Sequence, residues 1–427
     1  MVTMNPSNTA KAPGDYTQSA TIADMVQLAD YDEITEVLRS RKFVQGAYAI
    51  SGKHMMRDTV TLLDGPQHMQ RRRVLAHMFD DAAMAGVRER HLAPAVEQCM
   101  AEIAAQPRAA DGSIPTDLVM LVQRCLHRVA AALAGIDGLN NPADADRFVD
   151  QVRTIASGAT VDWSREDPEI VQRSAMQARD AFRREFFEPS VARRKAAIDA
   201  ARARGEDLKP LSDDLISLIL INEGGAWEGD AELPLREVST FLVGASQTTA
   251  ASLVLLILRL EDWFKAHPED RNLIESDPEF LRRAAFDSLR MTVASPARIR
   301  RAAEDVTLAS GRSFKAGERV ALLFIPANMK PELFGDDAAE FNPHRHVKDV
   351  PLWGLAFGGG AHSCPGRPLV TGSRNMAGTI GVDGTMVSVT RRFYAAGLAL
   401  DSQRPPVRDT TTHYDLYTEV PIRFTKL

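Results

Sequence analysis

Phe357-Gly-Gly-Gly-Ala-His-Ser-Cys-Pro-Gly366 decides how this chain is read. Four glycines, a histidine and the last of three cysteines fall within this one stretch. The interior of a helix or strand gains nothing from so many glycines, whereas backbone passing close to a bulky flat ligand does. In such a loop Cys364 presents its sulfur with little side chain in the way. An iron porphyrin held by an axial thiolate is the chemistry that fits best. The other reading of these residues is a glycine-rich surface loop with an incidental cysteine.

The stretch resembles the haem-binding loop of the cytochrome P450 monooxygenases, F-G-x-G-x-H-x-C-x-G. Phe357, Gly358, Gly360, His362, Cys364 and Gly366 match every specified position. The resemblance implies that Cys364 is the axial metal ligand of haem b, iron protoporphyrin IX. It also implies that Phe357 packs beside the cysteine, that Gly366 closes the cofactor loop and that His362 approaches a haem propionate.

Upstream, Asp64-Gly-Pro66 marks a turn feeding a helix on which His68 and Arg72 lie four apart on one face. Together they suit a carboxylate, although a basic surface helix reads the same way. The segment is similar to the family's D-P-P-x-H-x-x-x-R-R, which sends both residues to haem propionates; Gly65 replaces the first proline.

A long apolar helix is expected from about Leu233 toward Trp263, with Gly244-Ala-Ser-Gln-Thr-Thr249 inside it. Glycine and threonine are costly there by propensity. A threonine hydroxyl can bond the carbonyl one turn back and open a polar notch. The segment resembles the family's oxygen-activation helix, [AG]-G-x-[DE]-T-[TS]. Gly244 and Thr248 match, Ala245 replaces the second glycine, and Gln247 stands where an acid is usual. The resemblance makes Thr248 and Gln247 the catalytic pair and puts Gly244 and Ala245 against the cofactor. Glutamine bonds water but cannot titrate, so the usual proton route is altered.

Glu279 to Met291 reads as an amphipathic helix carrying Asp287 and Arg290 at i, i+3. The family's pair is E-x-x-R, and aspartate is one methylene shorter, which calls for a backbone shift or a bridging water. Arg345, in a segment similar to F-x-P-x-R, is the expected third member. The stretch after Met291 alternates turns and short β-like runs, with Gly311 to Gly317 as a hairpin and Val320 to Ile325 as a strand. Arg300 matches the family arginine directed at a propionate, with Arg298 as a nearby rival, and Val293 to Ala297 should line the substrate cavity. Beyond Cys364, Thr371-Gly-Ser-Arg and Ile380-Gly-Val-Asp-Gly384 interrupt the helix the family places there. An insertion has split or displaced it.

Elsewhere, Met25 to Leu38 reads as one short amphipathic helix, Leu118 to Ala134 and Ser164 to Arg204 as helical stretches, and Val420 to Phe424 as a terminal strand. Irregular residues 41–53 suit a loop over the substrate. His127 gets no role beyond that of a packed or surface histidine.

Composition sets no obstacle. The chain has 427 residues, 44% hydrophobic and 25% charged, and a net charge of -6, which argues against general nucleic-acid binding. Three cysteines at no regular spacing are no disulfide framework and suit a reducing cytoplasm. The first twenty residues lack a secretory pattern, and nowhere do eighteen apolar residues run uninterrupted, so no membrane anchor is expected.

The expected fold is mainly α with a smaller β-rich region, the cytochrome P450 fold, as a single domain over residues 1–427 with a flexible or loosely packed segment at residues 1–24. The expected activity is insertion of one oxygen atom from dioxygen into an apolar organic substrate. The chain carries no flavin or iron–sulfur motif, so electrons are expected from a separate ferredoxin and its NAD(P)H-dependent ferredoxin reductase. Arg71, Arg73 and Arg367 are the expected landing face for an acidic partner. The alternatives are a peroxide-driven or redox-neutral haem-thiolate enzyme, motivated by Gln247, and a non-catalytic haem-binding protein.

Overall fold

A computed structural model describes residues 15–46, 49–139, 141–222, 225–374 and 380–427. Most of residues 1–24 and two residues of the 41–53 loop thus lie outside it. Tyr16 and Ile22, within the described part of the N-terminal segment, are buried against the β-rich core.

Helices form the larger layer, and local chemistry sets their ends. The Leu118–Ala134 helix begins where Asp117 accepts from the backbone N–H groups of Val119 and Met120, and stops at Gly135 in the left-handed region at φ 82°. Most of its residues are buried, Cys125 and His127 among them. The central helix runs in three pieces: α-helix Leu233–Leu242, a π-helical turn Val243–Gln247, and α-helix Thr248–Ala266. By length and composition Leu233–Ala266 is apolar enough to cross a membrane. A count of uninterrupted apolar residues misses it, because Ser246 to Thr249 break the run. In this fold it packs against the Leu118–Ala134 and Pro278–Met291 helices.

The β-rich part is a sheet in the order Val26–Leu28, Arg319–Leu323, Ala297–Ala302, Phe43–Gln45. The first pair is parallel and the others antiparallel. Met25 to Leu38 is therefore not one helix. Val26–Leu28 pairs with Val320 to Leu322, and a helix starts only at Tyr31, where Asp30 caps the N–H groups of Asp32 and Glu33. Tertiary strand pairing outweighs the helical spacing there. The expected Val320–Ile325 strand ends at Leu323, and Phe324–Ala327 turns helical. The hairpin expected at Gly311 to Gly317 lies further upstream, Val306–Thr307 against Ser313–Phe314, with Gly311 in its turn.

Beneath the cysteine loop lies a buried ionic knot. Arg290 Nε donates to Asp287 Oδ1 at 2.7 Å, and Arg345 Nε donates to the same oxygen at 2.8 Å. Oδ2 accepts from the Asn342 backbone N–H at 2.8 Å. Aspartate thus reaches both arginines directly, and of the two expected accommodations, a backbone shift or a bridging water, it is the backbone's that fits. The Asn342 backbone comes close enough to take up the missing methylene.

After the cysteine, the helix Arg367–Thr371 gives way to an antiparallel hairpin, Gly372–Arg374 against Ile380–Asp383, before helix Thr385–Ala395 resumes. The interruption read from the sequence is this hairpin; residues 375–379 within it lie outside the described residues.

Candidate functional site

The cysteine loop is held by its own backbone. The Cys364 N–H donates to Phe357 O at 2.9 Å and the Gly358 N–H to Leu355 O at 2.8 Å. Phe357 meets Trp353 edge-on at 5.9 Å between ring centroids. Gly360 has φ 62°, and a Cβ there would collide with the Leu38 carbonyl oxygen. Its freedom thus serves close approach to the Tyr31–Arg39 helix, not to a ligand. Gly360→Ala is expected to cost at least about 1–2 kcal/mol from the left-handed backbone alone, more with the collision, read as a lower urea midpoint and faster loss of bound haem.

Cys99 and Cys125 are buried, whereas Cys364 is exposed. The residue is exposed, yet protein crowds its thiol. That crowding pushes its pKa up, opposed by the Gly366 and Arg367 backbone N–H groups and by the charges of Arg298 and Arg72. Gly366 also lies against the sulfur.

Beside the loop the structure gathers the arginines and histidines expected to face carboxylates. Arg72 Nη2 donates to Ser363 O at 3.0 Å. The His68 and His362 rings stack at 4.1 Å, and burial with the neighbouring His362 and Arg72 holds His68 down to about 4. Arg300 lies opposite Gln45 in the sheet, and its Nη1 donates to Gln45 Oε1 at 2.7 Å. Strand alternation places Arg298 on the same face. His362 is already engaged, with Nε2 3.2 Å from Asp64 Oδ1 and Nδ1 2.9 Å from Gln45 Nε2. Burial pushes the Asp64 carboxyl up, but the bonds from His362 and the Gln45 N–H, with the Arg300 charge, bring it below the usual range. Asp64 and Gln45 are members the sequence reading missed. Asp64 sat in a quoted motif and was read only as a turn; Gln45 had no signal.

The second group lies on the central helix, at its π-helical turn. Gly244, Ala245 and Gln247 belong to the turn and Thr248 starts the helix beyond. A Cβ at Gly244 would meet nothing within 4 Å. Thr248 Oγ1 donates to Gly244 O at 2.8 Å, the back-bonding that opens a notch. Gln247 Nε2 lies 3.0 Å from Nε2 of the buried His127. Ala251, Ser252 and Leu255, on the next turns, share a narrow cavity with Val293, Ala294 and Pro296.

Among the described residues no group of three or more His, Cys, Asp or Glu side chains is placed to hold a metal ion. A metal bound by Cys364 would bring its other ligands with it, as iron does in a porphyrin. An exposed sulfur, an unfilled glycine face and a cationic set for two carboxylates together fit that group.

The basic landing face loses one member. Arg71 is buried, donating to Ala226 O at 2.7 Å, to Glu237 at 3.1 Å and to the Asp58 carbonyl. Arg73 and Arg367 are exposed.

The family model described as Cytochrome P450 matches residues 279–371, which run from the helix of Asp287 and Arg290 through the cysteine loop. Nocardicin C N-oxygenase of Nocardia uniformis subsp. tsuyamanensis is 30% identical over 56% of this chain and 59% of its own. Cytochrome P450 130 of Mycobacterium tuberculosis is 32% identical over 36% of each chain. The chain therefore spans less than two thirds of the length of these curated relatives. Among solved structures, CYP109E1 from Bacillus megaterium in complex with corticosterone superposes with a TM-score of 0.66 at 21% identity, covering 98% of this chain and 96% of that one.

Proposed function

Since the chain belongs to the cytochrome P450 family, of bacterial type, we propose that it is a single-domain haem-thiolate monooxygenase inserting one oxygen atom of dioxygen into an apolar small molecule. The observation that carries this reading is the exposed Cys364 in a loop that matches the family at every specified position. Haem b, held through Cys364, supplies the iron redox chemistry that cleaves dioxygen.

The chain's own residues do the rest. The Cys364 thiolate would hold the iron and tune its chemistry. Arg72, Arg298, Arg300 and His68 take the two propionates by charge-assisted bonds, with His362 steered by Asp64. Thr248 and Gln247 hold water at the notch, and the proton passes through that water, since Gln247 cannot ionise and the Thr248 hydroxyl donates to Gly244 O. The apolar substrate is part of the family reading; the cavity beside the central helix mixes apolar Ala251, Leu255, Val293 and Pro296 with Ser252, Thr292, Tyr414 and Asp415. Electrons come from a separate ferredoxin and reductase landing near Arg73 and Arg367, in a reducing cytoplasm that keeps the cysteines free.

Thr248→Ala tests this reading. NADH consumption should persist and peroxide accumulate, while product per NADH falls about tenfold, the factor carried by one hydrogen bond of about 1.4 kcal/mol. Unchanged coupling would remove Thr248 from the mechanism. The observation that favours a second reading, a peroxide-driven enzyme, is the non-ionising Gln247. Faster turnover with peroxide than with reduced ferredoxin would decide for it, and haem binding without substrate-dependent oxygen consumption would leave only a haem-binding protein.

A further inference from the structure

Beneath the π-helical turn a buried histidine meets the glutamine that replaces the usual acid, and the hydrogen-bond roles there have one consistent assignment. His127 Nδ1 lies 2.7 Å from Gln123 O, one turn back on its own helix. A carbonyl only accepts, so Nδ1 carries the proton. Burial, aided by the charge of Arg153 and opposed by the Gln123 carbonyl, holds the ring neutral by bringing its pKa to about 4. Nε2 is then a bare acceptor. Ser246 Oγ stands 3.3 Å from it, but the single hydroxyl proton goes to Leu242 O at 2.7 Å. The remaining donor is the Gln247 amide nitrogen at 3.0 Å. The Gln247 amide therefore has its NH2 toward His127 and its Oε1 turned away. Thr248 spends its proton on Gly244 O, so its oxygen also presents lone pairs.

We propose that His127 is a positioning residue that sets the hydrogen-bond polarity of the notch, locking Gln247 so that its carbonyl oxygen, and not its NH2, is offered to the water there. The proposal rests on the monooxygenase reading for its consequence but not for its geometry. It explains how a non-ionising side chain keeps a defined orientation where an acid is usual. It also predicts that Gln247→Glu is not a simple restoration. A carboxylate would face the Nε2 lone pair, and the pair would have to take up one proton between them.

The test uses the holoprotein with 15N-labelled histidine as its diamagnetic ferrous carbonyl complex, the His127 signals being those absent from His127→Gln. The expected result is a neutral ring protonated at Nδ1 from about pH 6 to pH 8, an Nε2 resonance that moves in Gln247→Leu, and one that stays in Thr248→Ala. Gln247→Glu should bring a proton onto Nε2. A ring that charges in that range in the unsubstituted protein, an Nε2-protonated tautomer, or an Nε2 resonance indifferent to Gln247→Leu would overturn the proposal. In turnover, His127→Leu should lower product per NADH, with His127→Gln, which keeps an acceptor, retaining more; equal coupling in His127→Leu and the unsubstituted protein would overturn it too. Absence of any product from the unsubstituted protein sinks the monooxygenase reading and leaves the resonances to decide this one.

Discussion

Cys364→Ala is expected to abolish the long-wavelength absorption band of the ferrous carbonyl complex, and monooxygenase turnover with it. The band would depend on a thiolate holding the iron, and Cys364 is the one exposed cysteine among the three. Cys99 and Cys125 are buried, so neither can substitute without unfolding. The loop itself should survive, because its bonds from Cys364 N–H to Phe357 O and from Gly358 N–H to Leu355 O are made by backbone. Haem retained in the variant would then absorb at a shorter wavelength. A variant that keeps both band and turnover would refute the assignment of the ligand and everything built on it.

The second large effect concerns stability. Asp287→Ala would leave Arg290 buried with no carboxylate bonded to it, while Arg345 would keep only its ion pair with Asp337 at 2.5 Å. Breaking a buried pair by removing one partner costs about 3–5 kcal/mol, a large part of the roughly 5–15 kcal/mol that holds a domain together. The backbone acceptors of Arg290, Asn328 O at 2.8 Å and Ala338 O at 2.5 Å, remain but do not neutralise charge. The urea midpoint should fall sharply, and haem should be incorporated poorly at growth temperature. Asp287→Glu tests the same site from the other side. It keeps the charge and adds one methylene to a fully buried position, costing about 1–3 kcal/mol by overpacking. An unchanged midpoint in Asp287→Ala would show that the knot contributes nothing to the fold.

How much of the site was legible depended on whether a residue's role was local. The Phe357–Gly366 loop could be read because glycine spacing and a cysteine are local demands on backbone and metal chemistry. The i, i+3 spacing of Asp287 and Arg290 was legible for the same reason, and so was the back-bonding of Thr248 to Gly244. That the shorter Asp287 needs a shifted backbone or a water was legible too, but which of the two was not, because the approach of the Asn342 backbone is a property of the folded chain. Arg71 was misplaced on the surface because Arg71, Arg72 and Arg73 look alike in sequence. The turn of one helix sends the first to Glu237, the second to the cysteine loop and the third to solvent.

By itself the sequence determined the chemistry on offer: a thiol on a glycine-rich loop, cations at helical and strand spacing for carboxylates, and a helix opened at a threonine. The loop, the His68–Arg72 spacing and the threonine notch follow from residue type and spacing within a few turns of chain, whereas Arg300 was assigned to a carboxylate by the family resemblance. The tertiary structure decided the partners across the fold. Strand register put Gln45 opposite Arg300, and loop packing brought Asp64 to His362. The packing of two helices set His127 against Gln247, two residues 120 positions apart. No local propensity encodes such a pairing. It exists because each buried polar group must find a partner once water is excluded, and only the folded core determines which one is within reach.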